Sequence, residues 1–249
     1  MSEASPLLIE QRDTHVLATL NRPEKRNAID QRLIDALHTL CDGLEAEPRV
    51  LVLRGAGGVF AGGADIAQLR ERRAADALKG INTEAFRRVH ALPMPVIAVL
   101  EGYALGGGAE LAYAADIRVG TPTLKIGNPE TGLGIIAAAG ASWRLREIVG
   151  EPLAAEIMLA GRVLNAEESL RAGLITHLEQ DGAAALARAE QIAARIASLD
   201  PAATQASKRV LQAPRDAHPQ IDLDEQAVLF ESPEKMRRMT EFLERKKSK

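Results

Sequence analysis

Two short apolar runs, each followed at once by a glycine-rich loop, constrain the fold of this 249-residue chain more than any other feature. RVLVLRG, from Arg49 to Gly55, leads into GVFAGGADI, and PVIAVLEG, from Pro95 to Gly102, leads into YALGGGAEL. An uninterrupted apolar run of this length is typical of a strand buried on both faces. Helical sequence follows each loop, so the alternation of strand, glycine loop and helix predicts an α/β fold with partly parallel strands.

The rest of the chain fits one α/β core with a helical extension. LLIEQRDTHVLATLN predicts two short strands around a polar turn, and apolar residues at helical spacing from Ile29 predict a helix that ends near Pro48. A charged helical stretch is expected over roughly 67–92. Alanine-rich helical sequence follows Gly150 without a sharp linker. We therefore expect a core over 1–195 that carries the functional site, and a helical C-terminal region over 196–249.

Composition excludes several classes of protein. The formal net charge of −3 argues against a dedicated nucleic-acid binder, which would present a basic face. One cysteine, Cys41, cannot form an intrachain disulfide and fits a reducing compartment. The N-terminus lacks the basic and long apolar regions of a secretory signal, and the longest apolar runs are too short to span a bilayer. These features predict a cytoplasmic protein that does not enter a membrane.

Many familiar catalytic patterns are missing from the sequence. It contains no phosphate-binding G-x-x-x-x-G-K-[ST], no G-x-S-x-G nucleophile elbow, and no CxxC or HExxH metal spacing. The histidines are scattered without the spacing of metal ligands. We therefore expect neither a metal enzyme, a nucleotide-hydrolysing enzyme nor a serine-nucleophile enzyme, and the remaining candidates are the two glycine loops and two isolated acids.

The glycine loops and the acids each allow a catalytic and a structural interpretation. Free backbone N–H groups at strand-to-helix turns form an oxyanion hole when two of them face one space, but such loops are also ordinary tight turns. Glu110 lies one turn into a helix if that helix starts near Gly107, and Glu130 lies in the loop IGNPETGLG. Two carboxylates at one site would push their pKa values apart and supply an acid and a base, whereas Glu130 alone suits a surface loop.

Four segments in order carry a resemblance to a known family: LNRPEKRNAI, FAGGADI, GYALGGGAELA and NPETGLG. Together they resemble the enoyl-CoA hydratase/isomerase, or crotonase, family, and FESPEKMRRMTEFLERK is similar to that family's C-terminal helix. The resemblance implies a right-handed spiral of β-β-α units with a helical C-terminal region. That region would serve oligomerisation and cover the coenzyme A site. It also implies assembly into a homotrimer or homohexamer.

The same resemblance implies roles for individual residues. The N–H groups of Ala64 and Gly107 would form the oxyanion hole for a thioester carbonyl. Glu110 would hold and activate a water, and Glu130 would deliver the proton to the α-carbon. The substrate would be an acyl-CoA thioester, so coenzyme A enters as part of the substrate rather than as a cofactor. The coenzyme A site would be lined, largely through backbone groups, by Lys25, Arg26, Ala28, Gly62, Ala64, Asp65 and Ile66.

The chain also departs from the family pattern. AAAGA, Ala137 to Ala141, stands where Pro-Gly-Ala-Gly-Gly is common, Trp143 replaces a smaller polar residue, and Arg237 with Arg238 replaces an acid-glycine pair. The presence of both glutamates favours hydration over a 3,2-isomerase, a dehalogenase or a thioester hydrolase on the same scaffold. An RNA-binding protein is a further alternative. It would use a patch that we interpret as a solvated face, formed by Arg70, Arg72, Arg73, Arg87 and Arg88.

Overall fold

The strands form two sheets, and the central strands coincide with the short apolar runs that turn residues interrupt. The computed structural model describes residues 4–247, which divide into two compact units between Ala194 and Arg195. The strands of the first unit are β1 Leu7–Gln11, β2 His15–Leu20, β3 Val50–Gly55, β4 Val96–Leu100, β5 Tyr103–Leu105, β6 Ile117–Gly120, β7 Lys125–Gly127, β8 Val163–Asn165 and β9 His177–Leu178.

The larger sheet has the order β1-β2-β3-β4-β6-β9, and the smaller sheet has the order β5-β7-β8. β1 and β2 are antiparallel, whereas the pairs β2–β3, β3–β4, β4–β6 and β6–β9 are parallel. The chain passes from the larger sheet to the smaller one twice in succession, from β4 to β5 and from β6 to β7. Each turn of the chain adds one strand to each sheet, which gives a spiral of β-β-α units.

The helices of the described residues are α1 Gln31–Ala46, α2 Ile66–Glu71, α3 Ala74–Leu78, α4 Ile81–Ala91, α5 Gly107–Ala114, α6 Arg146–Val149, α7 Glu151–Ala160, α8 Ala166–Arg171, α9 Gly182–Ala197, α10 Pro201–Gln212, α11 Gln220–Phe230 and α12 Pro233–Lys247. None of them is long and apolar enough to cross a membrane.

Strand β4 and helix α1 confirm the sequence interpretation. All five residues of β4 are buried, as expected of a central strand covered on both faces. Helix α1 begins after Asp30, whose carboxylate accepts a 2.9 Å hydrogen bond from the Leu33 amide as an N-cap. The predicted apolar face of α1 is buried in the core, including Leu37 and Leu44.

The charged stretch over 67–92 is not one continuous helical segment. It forms three separate helices, α2, α3 and α4, and Gly80 precedes α4 with a left-handed φ of +61°. No residue of α2 or α3 is buried, and the apolar side chains of Ile66 and Leu69 on α2 line a cavity rather than the core. Only α4 buries a face, through Phe86 and Val89, and α2 and α3 border a cavity instead.

The second unit is helical and leaves many apolar side chains exposed. Within it, Arg209 on α10 donates two hydrogen bonds of 2.6 Å to the carboxylate of Glu225 on α11. Arg237 and Arg238 on α12 both pair with Glu234 one turn earlier. More than half of the surface of Met239 and Phe242 is exposed, at 53% and 68%.

Candidate active site

The two glycine loops lie side by side and are held together by backbone hydrogen bonds. The Ala61 amide donates to the Tyr103 carbonyl at 2.9 Å, and the Leu105 amide donates to the Ala61 carbonyl at 3.1 Å. A Cβ atom on Gly108 would collide with that Ala61 carbonyl, so this glycine allows the close approach of the two loops. The loops therefore act as one structural unit, and Gly108 is a packing requirement within it.

The predicted oxyanion-hole amides, those of Ala64 and Gly107, are close together. A Cβ atom built on Gly107, the first residue of α5, would lie 3.7 Å from the Ala64 nitrogen. Hydrogen bonds between Ile29 and the two neighbours of Ala64 hold the loop in place without using the Ala64 amide. Within residues 4–247, neither the Ala64 nor the Gly107 amide donates a hydrogen bond to the protein. Both donors are available to a ligand.

These amides border a cavity of about 830 Å³ that also receives both predicted acids. Its walls come from the two glycine loops, from α2, α3 and the start of α4, and from the segment that follows Glu130. The predicted residues that line it are Gly62, Ala64, Ile66, Gly107, Glu110 and Glu130.

Glu110 lies on α5, one turn from its start, and is 4% exposed. Its Oε1 atom accepts hydrogen bonds from the amides of Ala139 at 2.6 Å and Ala141 at 3.2 Å. Burial raises the pKa of Glu110 to about 7; the amides of Ala141 and Ala139 oppose this rise, and the charge of Glu130 adds to it. This carboxyl group therefore changes its protonation near neutral pH.

Glu130 is a buried side chain rather than the surface acid that its loop position alone would suggest. It lies in a short 3₁₀ helix, Pro129–Leu133, and is 9% exposed. Asn128 donates a 3.4 Å hydrogen bond to its Oε1, whereas its buried Oε2 has no partner in the described chain. Burial raises the pKa of Glu130, against the hydrogen bonds from its own amide and from Asn128.

A buried side-chain network supports Glu130 from behind. The hydroxyl of Tyr113, which is fully buried on α5, donates to Oδ1 of Asn128 at 3.0 Å. Because Oδ1 is occupied in this way, the Nδ2 end of the same amide faces Glu130 Oε1 and the Gly106 carbonyl, each at 3.4 Å. Tyr113 therefore fixes the orientation of Asn128, and Asn128 holds one oxygen of Glu130.

The other residues predicted for coenzyme A binding, Lys25, Arg26, Ala28 and Asp65, do not line the cavity. Lys25–Ala28 nevertheless borders the first glycine loop, since the Gly62 amide donates to the Arg26 carbonyl at 2.8 Å. The Arg26 guanidinium lies 5.8 Å from the centre of the Tyr103 ring. The carboxylate of Asp65 caps α2 by accepting from the amides of Ala67 and Gln68.

Several cavity residues could not be identified from the sequence. They come from the charged stretch and from the segment after Glu130, where no periodicity or motif marks one position above another. Thr83 joins these two regions, because its hydroxyl donates to the Ala138 carbonyl at 3.0 Å. Trp143 does not line the cavity; it lies on a π-helical turn, Ala141–Leu145, and is 45% exposed. The residues concerned include Arg72, Asn82, Thr83, Leu133, Ile135 and Ile136.

The arginines of the proposed RNA patch are mostly paired with acids. Arg87 pairs with Glu84 at 2.6 Å, and Arg70 pairs with Glu71 at 2.9 Å. Arg88 contacts two carboxylates at 2.7 and 2.8 Å, those of Asp42 and Glu45. These pairs reduce the positive potential that a nucleic-acid backbone would meet on this surface.

Comparisons with known proteins agree with this fold and identify its family. Residues 10–249 match the family model described as enoyl-CoA hydratase/isomerase. The chain is 32% identical to a short-chain-enoyl-CoA hydratase of Clostridium acetobutylicum, over 98% of this chain and 97% of that protein. It is 34% identical to a 2,3-dehydroadipyl-CoA hydratase of Escherichia coli, over 91% of this chain and 89% of that protein.

A crystal structure of an enoyl-CoA hydratase from Bacillus anthracis superposes with a TM-score of 0.90 at 27% identity, covering 96% of each chain. A structure of Pseudomonas aeruginosa DspI gives a TM-score of 0.91 at 29% identity, over 98% of this chain and 96% of that one. The fold class predicted from the sequence, a crotonase-type spiral of β-β-α units with a helical C-terminal region, is confirmed.

Proposed function

This chain belongs to the enoyl-CoA hydratase/isomerase family, and from that premise we propose that it adds water across the 2,3 double bond of a 2-enoyl-CoA thioester. The product is a 3-hydroxyacyl-CoA. One observation carries the proposal: two buried carboxylates and two unpartnered backbone amides border the same cavity. That combination matches the needs of water addition to a conjugated thioester, in which an enolate oxygen must be stabilised while protons move at water and at carbon.

The amides of Ala64 and Gly107 stabilise the developing enolate. Attack of water at the β-carbon moves negative charge onto the thioester oxygen, and two N–H groups directed at that oxygen lower the barrier. Gly107 is the first residue of α5, so the partial positive charge at the start of the helix adds to the effect. Each such donor typically contributes a factor of about a hundred to a thousand in rate.

The two glutamates divide the proton transfers: Glu110 holds and deprotonates the attacking water, and Glu130 protonates the α-carbon. Glu110, with its pKa raised by burial to about 7, is suited to accept a proton from water near neutral pH. Glu130, whose Oε2 has no partner within residues 4–247, delivers the proton to the α-carbon. The water oxygen bonds to the β-carbon as Glu110 takes its proton, and Glu130, protonated at the start, gives its own proton to the α-carbon. Glu110 is then protonated and Glu130 ionised, so one proton must pass from Glu110 to Glu130 before the next cycle.

Coenzyme A is placed by the first glycine loop and the Lys25–Ala28 segment beside it. The support is the hydrogen bond from Gly62 to the Arg26 carbonyl, which puts this segment next to the cavity wall. Lys25 is exposed and offers a cation to a phosphate, while the Asp65 side chain shapes the loop as a helix cap. Coenzyme A is part of the substrate in this proposal, and the chemistry needs no separate cofactor.

We also propose assembly into a homotrimer or homohexamer in the cytoplasm. Helices α11 and α12 expose large apolar side chains, among them Phe230, Met239 and Phe242. An apolar surface of this kind is typical of a protein–protein contact. Light scattering at micromolar concentration tests the assembly, and a stable monomer would contradict it.

Activity toward a panel of coenzyme A thioesters tests the proposed reaction. The panel varies chain length and the position of the double bond, and the products are identified by mass spectrometry and chromatography. We expect 2-enoyl thioesters to gain the mass of one water and yield 3-hydroxyacyl products. Conversion of 3-enoyl into 2-enoyl thioesters without hydration would favour the isomerase alternative, and release of free coenzyme A would favour a hydrolase.

A further inference from the structure

Asn82, near the start of α4, lies next to the two amides of the proposed oxyanion hole. A Cβ atom built on Gly107 would lie 3.5 Å from Nδ2 of Asn82 and 3.7 Å from the Ala64 nitrogen. All three residues line the same cavity. Three N–H donors therefore border one part of the cavity, two from the backbone and one from a side chain.

Arg72 determines which end of the Asn82 amide faces its neighbours. Its Nη1 atom donates to Oδ1 of Asn82 at 3.3 Å. A guanidinium group only donates, so it selects the oxygen and leaves Nδ2 on the other branch of the amide. No carboxylate of residues 4–247 lies within ion-pair distance of Arg72. The charge of Arg72 also acts on the nearby Asp76 carboxylate, but its guanidinium holds the Asn82 amide oxygen directly and polarises the amide toward donation.

We propose that Nδ2 of Asn82 donates a third hydrogen bond to the thioester oxygen of the substrate, and that Arg72 is its positioning residue. This inference rests on the thioester site proposed above. A hydrogen bond to an ionised acceptor is roughly twice as strong as one to a neutral carbonyl. The contact therefore strengthens as the enolate forms, and it raises kcat more than it improves substrate binding.

Two substitutions at Asn82 separate donation from packing. Asn82→Leu keeps the branched shape and removes the donor, so we expect kcat for crotonyl-CoA to fall about tenfold to a hundredfold. Asn82→Asp keeps the shape but places an acceptor opposite the enolate, so its kcat should fall further. Binding of butyryl-CoA, measured by calorimetry, should change by less than about threefold in Asn82→Leu, since the neutral carbonyl gains little from the contact.

The ionisation of bound acetoacetyl-CoA provides a readout that does not depend on hydration. Its enolate absorbs in the ultraviolet, and oxyanion-hole donors lower the pKa at which the bound ligand ionises. We expect that pKa to rise by about one to two units in Asn82→Leu, the equivalent of the expected loss in kcat. If the wild type binds acetoacetyl-CoA as the enolate but hydrates nothing, the proposed function fails while the role of Asn82 is still tested.

Arg72→Met tests the positioning role, with Arg70→Met as the matched control on the same segment. Arg70 is an exposed residue that pairs with Glu71 and does not line the cavity. We expect Arg72→Met to reduce kcat by part of the loss seen in Asn82→Leu. In the double variant it should cause almost no further loss, because both substitutions act through one amide. An unchanged enolate pKa in both Asn82 variants, or losses that multiply fully in the double variant, would overturn the proposal.

Discussion

The amide of Ala139 donates a 2.6 Å hydrogen bond to Oε1 of Glu110. Ala139 belongs to the alanine-rich segment that departs from the family pattern, so the departure does not remove support from the carboxylate. Gly140 keeps the one position of that segment where φ is strongly positive, at +147°. The alanines around it supply amides, which any residue except proline can do. The altered sequence therefore still provides a binding site for a buried acid.

Burial of Glu110 makes the stability of the protein depend on pH. Its pKa is about 7 in the folded protein against an ordinary 4.5, so the folded state binds the proton more tightly than the unfolded chain. The free energy of unfolding therefore falls as pH rises from about 4.5 to 7, by about 3 kcal/mol. Glu110→Gln should remove that cost and be more stable than wild type at pH 8, with no gain near pH 4.5.

Urea denaturation of both proteins at pH 4.5 and pH 8 measures this difference. Glu167→Gln is the matched control, since Glu167 is 77% exposed and lies 3.9 Å from its nearest cation. It should leave the pH dependence unchanged. An equal effect of Glu110→Gln at the two pH values would mean that the carboxyl group is not held in its neutral form by burial.

Removal of the Gly107 amide tests the oxyanion hole directly. Proline is tolerated at the first position of a helix, so Gly107→Pro deletes the N–H with little cost to α5. We expect turnover of a 2-enoyl-CoA to fall about a hundredfold or more, while acetyl-CoA still binds. Gly107→Ala keeps the amide, and its Cβ meets its nearest neighbour at an ordinary 3.5 Å, so it should retain more activity. Equal losses in the two variants would point to crowding rather than to a lost donor.

The hydrogen bond from Asn128 to Glu130 should be visible in the pH–rate profile. Asn128 lowers the pKa of Glu130 against the effect of burial, so Asn128→Leu should raise it. The profile of kcat/KM then moves to higher pH, as a property of the coupled pair of glutamates. Tyr113→Phe removes the hydroxyl that orients Asn128 and should give a smaller shift in the same direction. Profiles that coincide with the wild type would show that the network is structural only.

The glycine triplet, Gly106 to Gly108, illustrates how far the sequence was informative. The sequence placed a helix start near Gly107, and α5 begins at that residue. The close approach of backbone at Gly108, where a Cβ atom would meet Ala61, is seen only in the structure. Gly106 has a φ of +54°, which favours glycine, and the Glu130 carboxylate lies beside it. That contact joins residues far apart in sequence, so local pattern could not reveal it.

Asn82 and Arg72 mark the limit of sequence reasoning. Their segment has the composition of a solvated helix, and neither residue belongs to a motif or a periodic face. Their position beside the glycine loops follows from the break at Gly80 and from the burial of Phe86, which anchors α4 against the core. Tertiary packing thus selects which polar residues of a charged stretch face the cavity.

Gly108→Ala tests the packing of the two glycine loops, with Gly43→Ala as its control. The added Cβ at Gly108 would meet the Ala61 backbone, which cannot move without separating the two loops, so we expect a large loss of thermal stability. Gly43 lies within α1 and has open space around it, so alanine there should stabilise the protein by about 0.5–1 kcal/mol. Comparable melting temperatures for the two variants would contradict the packing role of Gly108.

Two reactions measured in Glu110→Gln and Glu130→Gln distinguish a hydratase from an isomerase. Hydration of crotonyl-CoA needs both carboxylates, so each variant should lose about a hundredfold to ten-thousandfold in rate while still binding the thioester. Isomerisation of 3-hexenoyl-CoA moves one proton between two carbons and needs only Glu130. A protein in which both substitutions abolish hydration fits the proposed hydratase. Near-normal hydration by Glu110→Gln would contradict the proposed hydratase. Isomerisation that is lost only in Glu130→Gln, with little hydration by the wild type, would identify an isomerase.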